Sequence, residues 1–328
     1  MMTYTVAARP RLDVTVFLAR YGTLASLIAL IVVFSFARAD VFPTLNNLLN
    51  IMNQISILGV MAFGLTVCLT MGLFDLSIAA MATLGGYVAT FLLVQYPDQI
   101  STPVAVTVSL GVSALIGVFN GVIVSYLGIS AFIATLATGS IITGAMLGIS
   151  DSKTIITGIP DDFMSIGQGA VFGVSNPILI MLGVGVALWL LLEHTQLGRH
   201  LYAIGSSAEA SRLSGIAVKR YAPLALAICA LCAGLGGLMA AAVLGAGRPQ
   251  GVGDGYLLNA FAAVFIGASS LRPGKFHILG TAIGTLLIGV INNGLSVMGV
   301  PTFWQYIVQG VLLIAALFSA GVLTMRRH

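Results

Sequence analysis

Apolar stretches of about twenty residues return along the whole chain, near 14–38, 54–73, 76–95, 104–126, 129–149, 178–193, 222–246, 257–271, 278–298 and 305–324. A helix rises about 1.5 Å per residue, so such a stretch crosses the roughly 30 Å hydrocarbon core of a bilayer. The repetition predicts an all-α, polytopic membrane helix bundle of about ten segments, forming one transmembrane domain over 1–328. Charge agrees with this: 7% of the residues are charged, against about a quarter in soluble domains. The net charge of +4 is then a matter of topology, not of nucleic-acid binding.

An even number of segments puts both termini on one side. Counted that way, Arg9, Arg11, Arg20, Arg199, Arg212, Lys219, Arg220, Arg272, Lys275, Arg326 and Arg327 share the side of the N-terminus, and only Arg38, Lys153 and Arg248 lie opposite. Basic residues concentrate in cytoplasmic loops, so both termini and the loop 194–221 are expected in the cytoplasm. The opposite side receives Asp40, Asp98, Asp151, Asp161, Asp162 and Asp254. The first run ends in "FARAD", which has the A-x-A form of a signal-peptidase site, but Tyr21–Ala37 is longer than a usual signal core. An uncleaved first helix is expected.

Two joints are too short for ordinary loops, "GLFDLS" at 72–77 and "YLGIS" at 126–130. Non-helical backbone at membrane depth survives only where protein or a wet cavity satisfies it, so broken helices are expected. The run 257–271 is short for a full crossing and reads as re-entrant or only partly spanning, which would lower the true spans to eight or nine. "SAFIATLATGS" (130–140) against "NAFAAVFIGAS" (259–269) is the one internal match, and it is weak. The outward stretch 150–177 reads as a solvated loop or as a lip for a partner arriving from outside.

Asp75 is an acid between two membrane segments with no cation nearby in sequence. Such a residue has two readings: a pathway group, or a cap that accepts free N–H groups of a helix beginning at Leu76. Asn120, Asn292 and Asn293 lie inside apolar segments, where amides hydrogen-bond between helices or line a pathway. Cys68, Cys229 and Cys232 lie in apolar runs. The "CALC" pair has metal-like spacing, but no His or second Cys pair accompanies it, so it reads as core packing and no metal is expected. The four histidines show no ligand spacing, and no catalytic motif occurs. "GASSLRPGKF" has the wrong glycine spacing for a phosphate loop, so the chain itself is not expected to bind ATP.

"AIGSSAEASRLSGIAVKR" (203–220) is a polar stretch with its own punctuation. Ser206 and Glu209 read as a capping box, Gly215 as a left-handed C-cap, and Arg212 as a cation at the negative helix end. A helix of two turns is marginal alone, so something must pack on it.

At this point the motifs become specific. "TQLGRHLYAIGSSAEASRLSGIAVKRY" (195–221) resembles the cytoplasmic loop of permease subunits of ribose-type monosaccharide ABC importers, of the form T-x-x-G-R-x-x-Y-A-I-G-x-N-x-x-A-A-x-x-S-G-I. "NNLLNIMNQISILGVMAFGLTVCLTMGLFDLS", "NGVIVSYLGISAFIATLAT" and "GTAIGTLLIGVINNGLSVMGV" resemble three further blocks in order, and the likeness covers about 45–320. It implies a bacterial inner-membrane permease paired with a second copy or a sister permease. Two ABC ATPase subunits carry ATP and magnesium, and a periplasmic binding protein delivers a sugar-like solute. It also implies an ATPase-coupling role for Gly205, Glu209, Arg212, Ser214 and Gly215, and pathway positions at Asp75, Ser77 and Asn259. The chain departs from the pattern: Leu73 replaces a glycine of G-G-I-D-L-S-V-G, and Leu257 and Asn259 replace the acids of G-Y-E-L-D-A-I-A-A. The alternative from another class is a secondary transporter or facilitator using Asp75 as a proton-linked group.

Overall fold

The computed structural model describes residues 14–311 and residue 314. In chain order its elements are α1 (Val14–Ala37), α2 (Leu45–Thr70), α3 (Ile78–Gln95), α4 (Thr102–Tyr126), α5 (Ala131–Ser150), α6 (Asp161–Gln168), β1 (Ala170–Val171), β2 (Val174–Ser175), α7 (Asn176–His194), α8 (Gln196–Ser206), α9 (Ala208–Leu213), α10 (Tyr221–Leu244), α11 (Asp254–Ala268) and α12 (Ile278–Val297). Residues 302–311 are also helical. The all-α expectation holds, with one two-residue hairpin added. Seven of the described helices are long and apolar enough to cross a membrane, and α11 and the 21–37 part of α1 are shorter apolar helices. The expected segment 305–324 lies largely outside the described residues, as do both chain ends.

α2 begins at Leu45, well before the apolar run at 54. Thr44 caps it, accepting from the Asn47 N–H at 3.2 Å. The Asn47 amide donates to Phe42 O at 3.1 Å and to Asn293 Oδ1 at 3.0 Å. Asn47 is thus satisfied within the protein while Asn46, Asn50 and Asn53 stay exposed, and the helix runs through all four. At its other end α2 stops at Thr70, and residues 71–77 are non-helical before α3, as the short joint predicts. The joint 127–130 is also non-helical, but it is a solvent- or lipid-exposed turn with Gly128 at φ +70°, not a buried break.

α10 is the central helix, packed against α2, α3 and α4. Lipid tails are as apolar as leucine, so the hydrophobic effect does not hold helices together at this depth; close van der Waals packing must. α10 meets that need with a run of small residues. The position of a Cβ on Gly237 falls 1.7 Å from Ala82 O of α3, and on α4 that of Gly117 falls 2.5 Å from Leu226 O. Backbone touches backbone along both seams.

The stretch 150–177 is not simply a solvated loop. α6 inserts Phe163, which is fully buried among Ala89, Leu93, Ala105, Leu238 and Ala242, and Gln168 Nε2 donates to Ala242 O at 3.1 Å. The ring needs an apolar seat, and the ends of α3, α4 and α10 supply one.

The helix ends sort into two sets. One holds the C-terminal ends of α2, α4, α7 and α11, the N-terminal ends of α10 and α12, and α8 with α9; contacts such as Arg272–Glu193, Tyr202–Phe276 and Lys219 over the Tyr126 ring join them. The other gathers α6, the hairpin, and the Asn47–Asn293 and Ser175–Asn53 contacts.

Replacing Gly237 by valine should lower the thermal midpoint of the detergent-purified protein or abolish its monodisperse elution, since overpacking against fixed backbone costs about 1–3 kcal/mol or more. Gly111→Ala, where nothing lies within 4 Å, should be neutral or slightly stabilising.

Candidate functional site

The polar segment between α7 and α10 folds as two helices. Thr195 caps α8, accepting from the Gly198 N–H at 3.2 Å. Gly198, Leu201 and Ile204 form its buried face, at helical spacing. Gly205 completes the docking: a Cβ there would fall 1.9 Å from Thr70 O, the last residue of α2. Only a glycine lets α8 sit on that helix end. Tyr202 donates to Phe276 O at 3.0 Å, and Arg272 grips Glu193 with two bonds of 2.8 and 2.7 Å. Burial, then the neighbouring Glu193 carboxylate, pushes the Tyr202 hydroxyl above its usual range, while the Glu193 hydrogen bond raises Arg272 further. Tyr202 therefore stays a neutral donor. These contacts fix α8 to α7 and to the α11–α12 loop.

α9 differs in kind, because it is exposed. The expected capping box of Ser206 and Glu209 does not form. α8 extends through Ser206, so the cap moves to Ser207, whose hydroxyl accepts from the Ala210 N–H at 3.2 Å. Glu209 then stands one place too early for the box and instead pairs with Arg212 at 2.6 Å. Gly215, at φ +84°, ends the helix as predicted. Its N–H donates to Arg212 O, and that of Ile216 to Ser211 O, both at 3.0 Å, which is the Schellman pattern. Ser214 Oγ donates to Ala210 O at 2.9 Å. Leu213, which the sequence reading passed over, is 79% exposed at the end of α9. It stands beside the exposed Glu209–Arg212 pair, so α9 presents one apolar and two charged side chains on its free surface.

The break after α2 gathers a second group. Asp75 is 1% exposed; its Oδ1 accepts from the Ser77 N–H at 2.9 Å and from Ser77 Oγ at 2.6 Å. It thus serves the start of α3, which begins at Ile78 and not at Leu76. The Leu76 N–H is met by Thr135 Oγ1 of α5 at 3.0 Å. Asn120 of α4 donates to Ser77 Oγ at 3.5 Å and accepts from Thr138 Oγ1 at 2.6 Å. Asp75, Ser77 and Asn120 therefore form one buried network across α3, α4 and α5. Thr135 and Thr138 belong to it too, and nothing in their local sequence marked them.

The remaining asparagines stand elsewhere. Asn293 binds Asn47, and Asn292 accepts from Gln309 Nε2 at 3.1 Å. Asn259 on α11 donates to Gly255 O at 2.8 Å, and its Oδ1 is buried without a partner. Beside the break, α3, α5 and the start of α11 bound a cavity of about 350 Å³, whose wall includes Leu76, Ala80, Ser140, Thr143 and Asp254. Ser140 and Thr143 are exposed on α5, where the buried face is spent on Ala134, Thr138 and Ile142. Hydroxyls, a carboxylate and small apolar groups make a surface that can hydrogen-bond a small polar solute without caging it.

The family model described as branched-chain amino acid transport system / permease component matches residues 47–317. The chain is 38% identical to the ribose import permease protein RbsC of Escherichia coli strain K12, over 96% of this chain and 98% of that protein. It is 34% identical to the D-allose transport system permease protein AlsC of the same strain, over 90% of each. To its xylose transport system permease protein XylH the identity is 29%, over 93% of this chain and 92% of that protein. No solved structure matches the chain. With likeness spanning nearly its whole length and several membrane-length helices in its fold, the chain belongs to the branched-chain amino acid transport system / permease component family and is a multi-pass inner-membrane permease subunit of an ABC importer.

Proposed function

We propose that this permease carries a monosaccharide or a closely related polyol, received from a periplasmic binding protein, through a pathway completed by a second copy or a sister permease. Three relatives named for ribose, D-allose and xylose support the substrate class. About ten membrane segments with both termini in the cytoplasm fit the eleven-to-three bias of basic residues. ATP and magnesium bind on separate ATPase subunits, which dock under the end that carries α8 and α9.

The observation that carries this reading is the contrast between the two loop helices. α9 is exposed, capped at both ends and displays Glu209, Arg212, Leu213 and Ser214, whereas α8 is seated on α2 through Gly205. A partner that grips α9 moves α8, and α8 bears on the last turn of α2, next to the break that holds Asp75 and Ser77 and is bonded by Asn120 of α4. Nucleotide-driven closure of the ATPases thereby reaches the helices that wall the pathway. Asp75 and Asn120 act as structural members of that hinge, and Ser140, Thr143 and Asp254 face the solute. Weak contacts suit a wall that must release what it admits, leaving affinity to the binding protein.

Glu209→Ala, Arg212→Ala and Leu213→Asp should each reduce ATP-dependent uptake by about tenfold or more, or prevent copurification of the ATPase. The Glu209–Arg212 pair is exposed and contributes only about 0.3–0.5 kcal/mol to the helix, so a loss of that size reports partner contact. Unchanged uptake by all three variants would remove α9 from the coupling role. Ser140→Trp, which fills the cavity, should block uptake while leaving ATPase copurification intact. Transport by this chain alone in proteoliposomes would contradict the mechanism.

A further inference from the structure

Cys68 of α2, Cys229 of α10 and Asp75 of the break bring two sulfurs and a carboxylate oxygen within 4.8 Å of one another, all buried. Oδ1 takes both Ser77 bonds, whereas Oδ2 makes no regular hydrogen bond and has the weakly donating Cys229 thiol as its neighbouring polar group. No ion pair to Asp75 occurs among the described residues. A buried carboxylate is costly unless something positive meets it. A proton does so, and so does a cation.

The ligand set discriminates between cations. Calcium and magnesium take six or more oxygens, which this cluster does not offer. Two thiolates and one carboxylate select zinc-like, thiophilic ions. A tetrahedral zinc–sulfur bond of about 2.3 Å places neighbouring ligand atoms about 3.8 Å apart, a spacing compatible with atoms that all lie within 4.8 Å of one another. We propose that Cys68, Cys229 and Asp75 bind one thiophilic divalent cation of the zinc type, joining α2, α10 and the helix break. The two thiol protons, and any on the carboxyl, leave as the ion enters. Ser77 then acts from behind the carboxylate, its N–H and O–H holding Oδ1 while Oδ2 turns to the metal. The way in is short, since Cys68 lies in the last turn of α2 and Gly72 and Phe74 of the adjoining break are exposed.

The neighbouring Cys232 is the built-in control. It is buried one turn along α10, but its Cβ packs 2.5 Å from the Cβ position of Gly64 and it is not one of the three clustered ligands. The "CALC" spacing was thus misleading in its pairing: Cys229 meets Cys68, which lies far away in sequence.

The test uses the full chain, purified in detergent with a phosphine reductant and titrated with cadmium. Cadmium–thiolate charge-transfer absorption reports sulfur ligation specifically, and metal analysis after desalting gives the stoichiometry. Wild type and Cys232→Ser should each hold one cadmium per chain with the charge-transfer band. Cys68→Ser and Cys229→Ser should lose the bound ion or bind it at least tenfold more weakly. Asp75→Asn keeps both sulfurs and an acceptor for Ser77, so it guards against misfolding of the serine variants; it should show the band at a weakened affinity. Wild type that retains no cadmium, Cys68→Ser or Asp75→Asn that binds as wild type does, or Cys232→Ser that loses the ion equally, would each overturn the site.

Discussion

Contact between bare backbones holds this bundle together. In a bilayer the core cannot be assembled by exclusion of water, so helices adhere where their main chains approach closely, and α10 supplies the surface for that approach. Gly237 lies on Ala82 of α3 and Gly117 of α4 lies on Leu226. Everything else is arranged around those seams. α2 completes the buried centre, while α4, α5 and α7 keep much of their surface outward, toward lipid or a second subunit.

The interruption at 71–77 is tolerable only because the surrounding helices satisfy it. Thr135 meets the Leu76 N–H, Asp75 meets Ser77, and Asn120 with Thr138 closes the group. Irregular backbone and its polar retinue therefore occupy the same place as the cavity edged by Leu76 and Ala80. A joint that is expensive to build is placed beside the polar-lined cavity. The same crowding brings a carboxylate oxygen of Asp75 within 4.8 Å of two sulfurs.

Much of this was legible in the chain. Membrane-length runs gave the helices, the short joint gave the break, and Gly215 announced a left-handed turn that few other residues adopt readily. Most of what failed did so through dependence on partners far away in sequence, and the displaced cap failed locally. α2 starts early because Asn47 binds Asn293, 246 residues on. α6 is a packed element because Phe163 finds a seat built by three other helices. The cap at Ser207 is offset because α8 keeps its helical form through Ser206, and no residue there signals a stop. Asp75 and Asn120 looked separate, yet they share Ser77 as an intermediary.

The seat of α8 on α2 has a mechanical consequence. Where two elements meet through long side chains, rotamer changes absorb displacement and the linkage has backlash. Gly205 against Thr70 leaves no side chain between the parts, and Tyr202 of α8, bonded to Phe276 O and to the Glu193 that Arg272 clamps, stops α8 from pivoting away. Such a joint behaves as a stiff bearing, because no rotamer lies between α8 and the last turn of α2. Any displacement of α8 is thereby passed to the end of α2 with little lost motion.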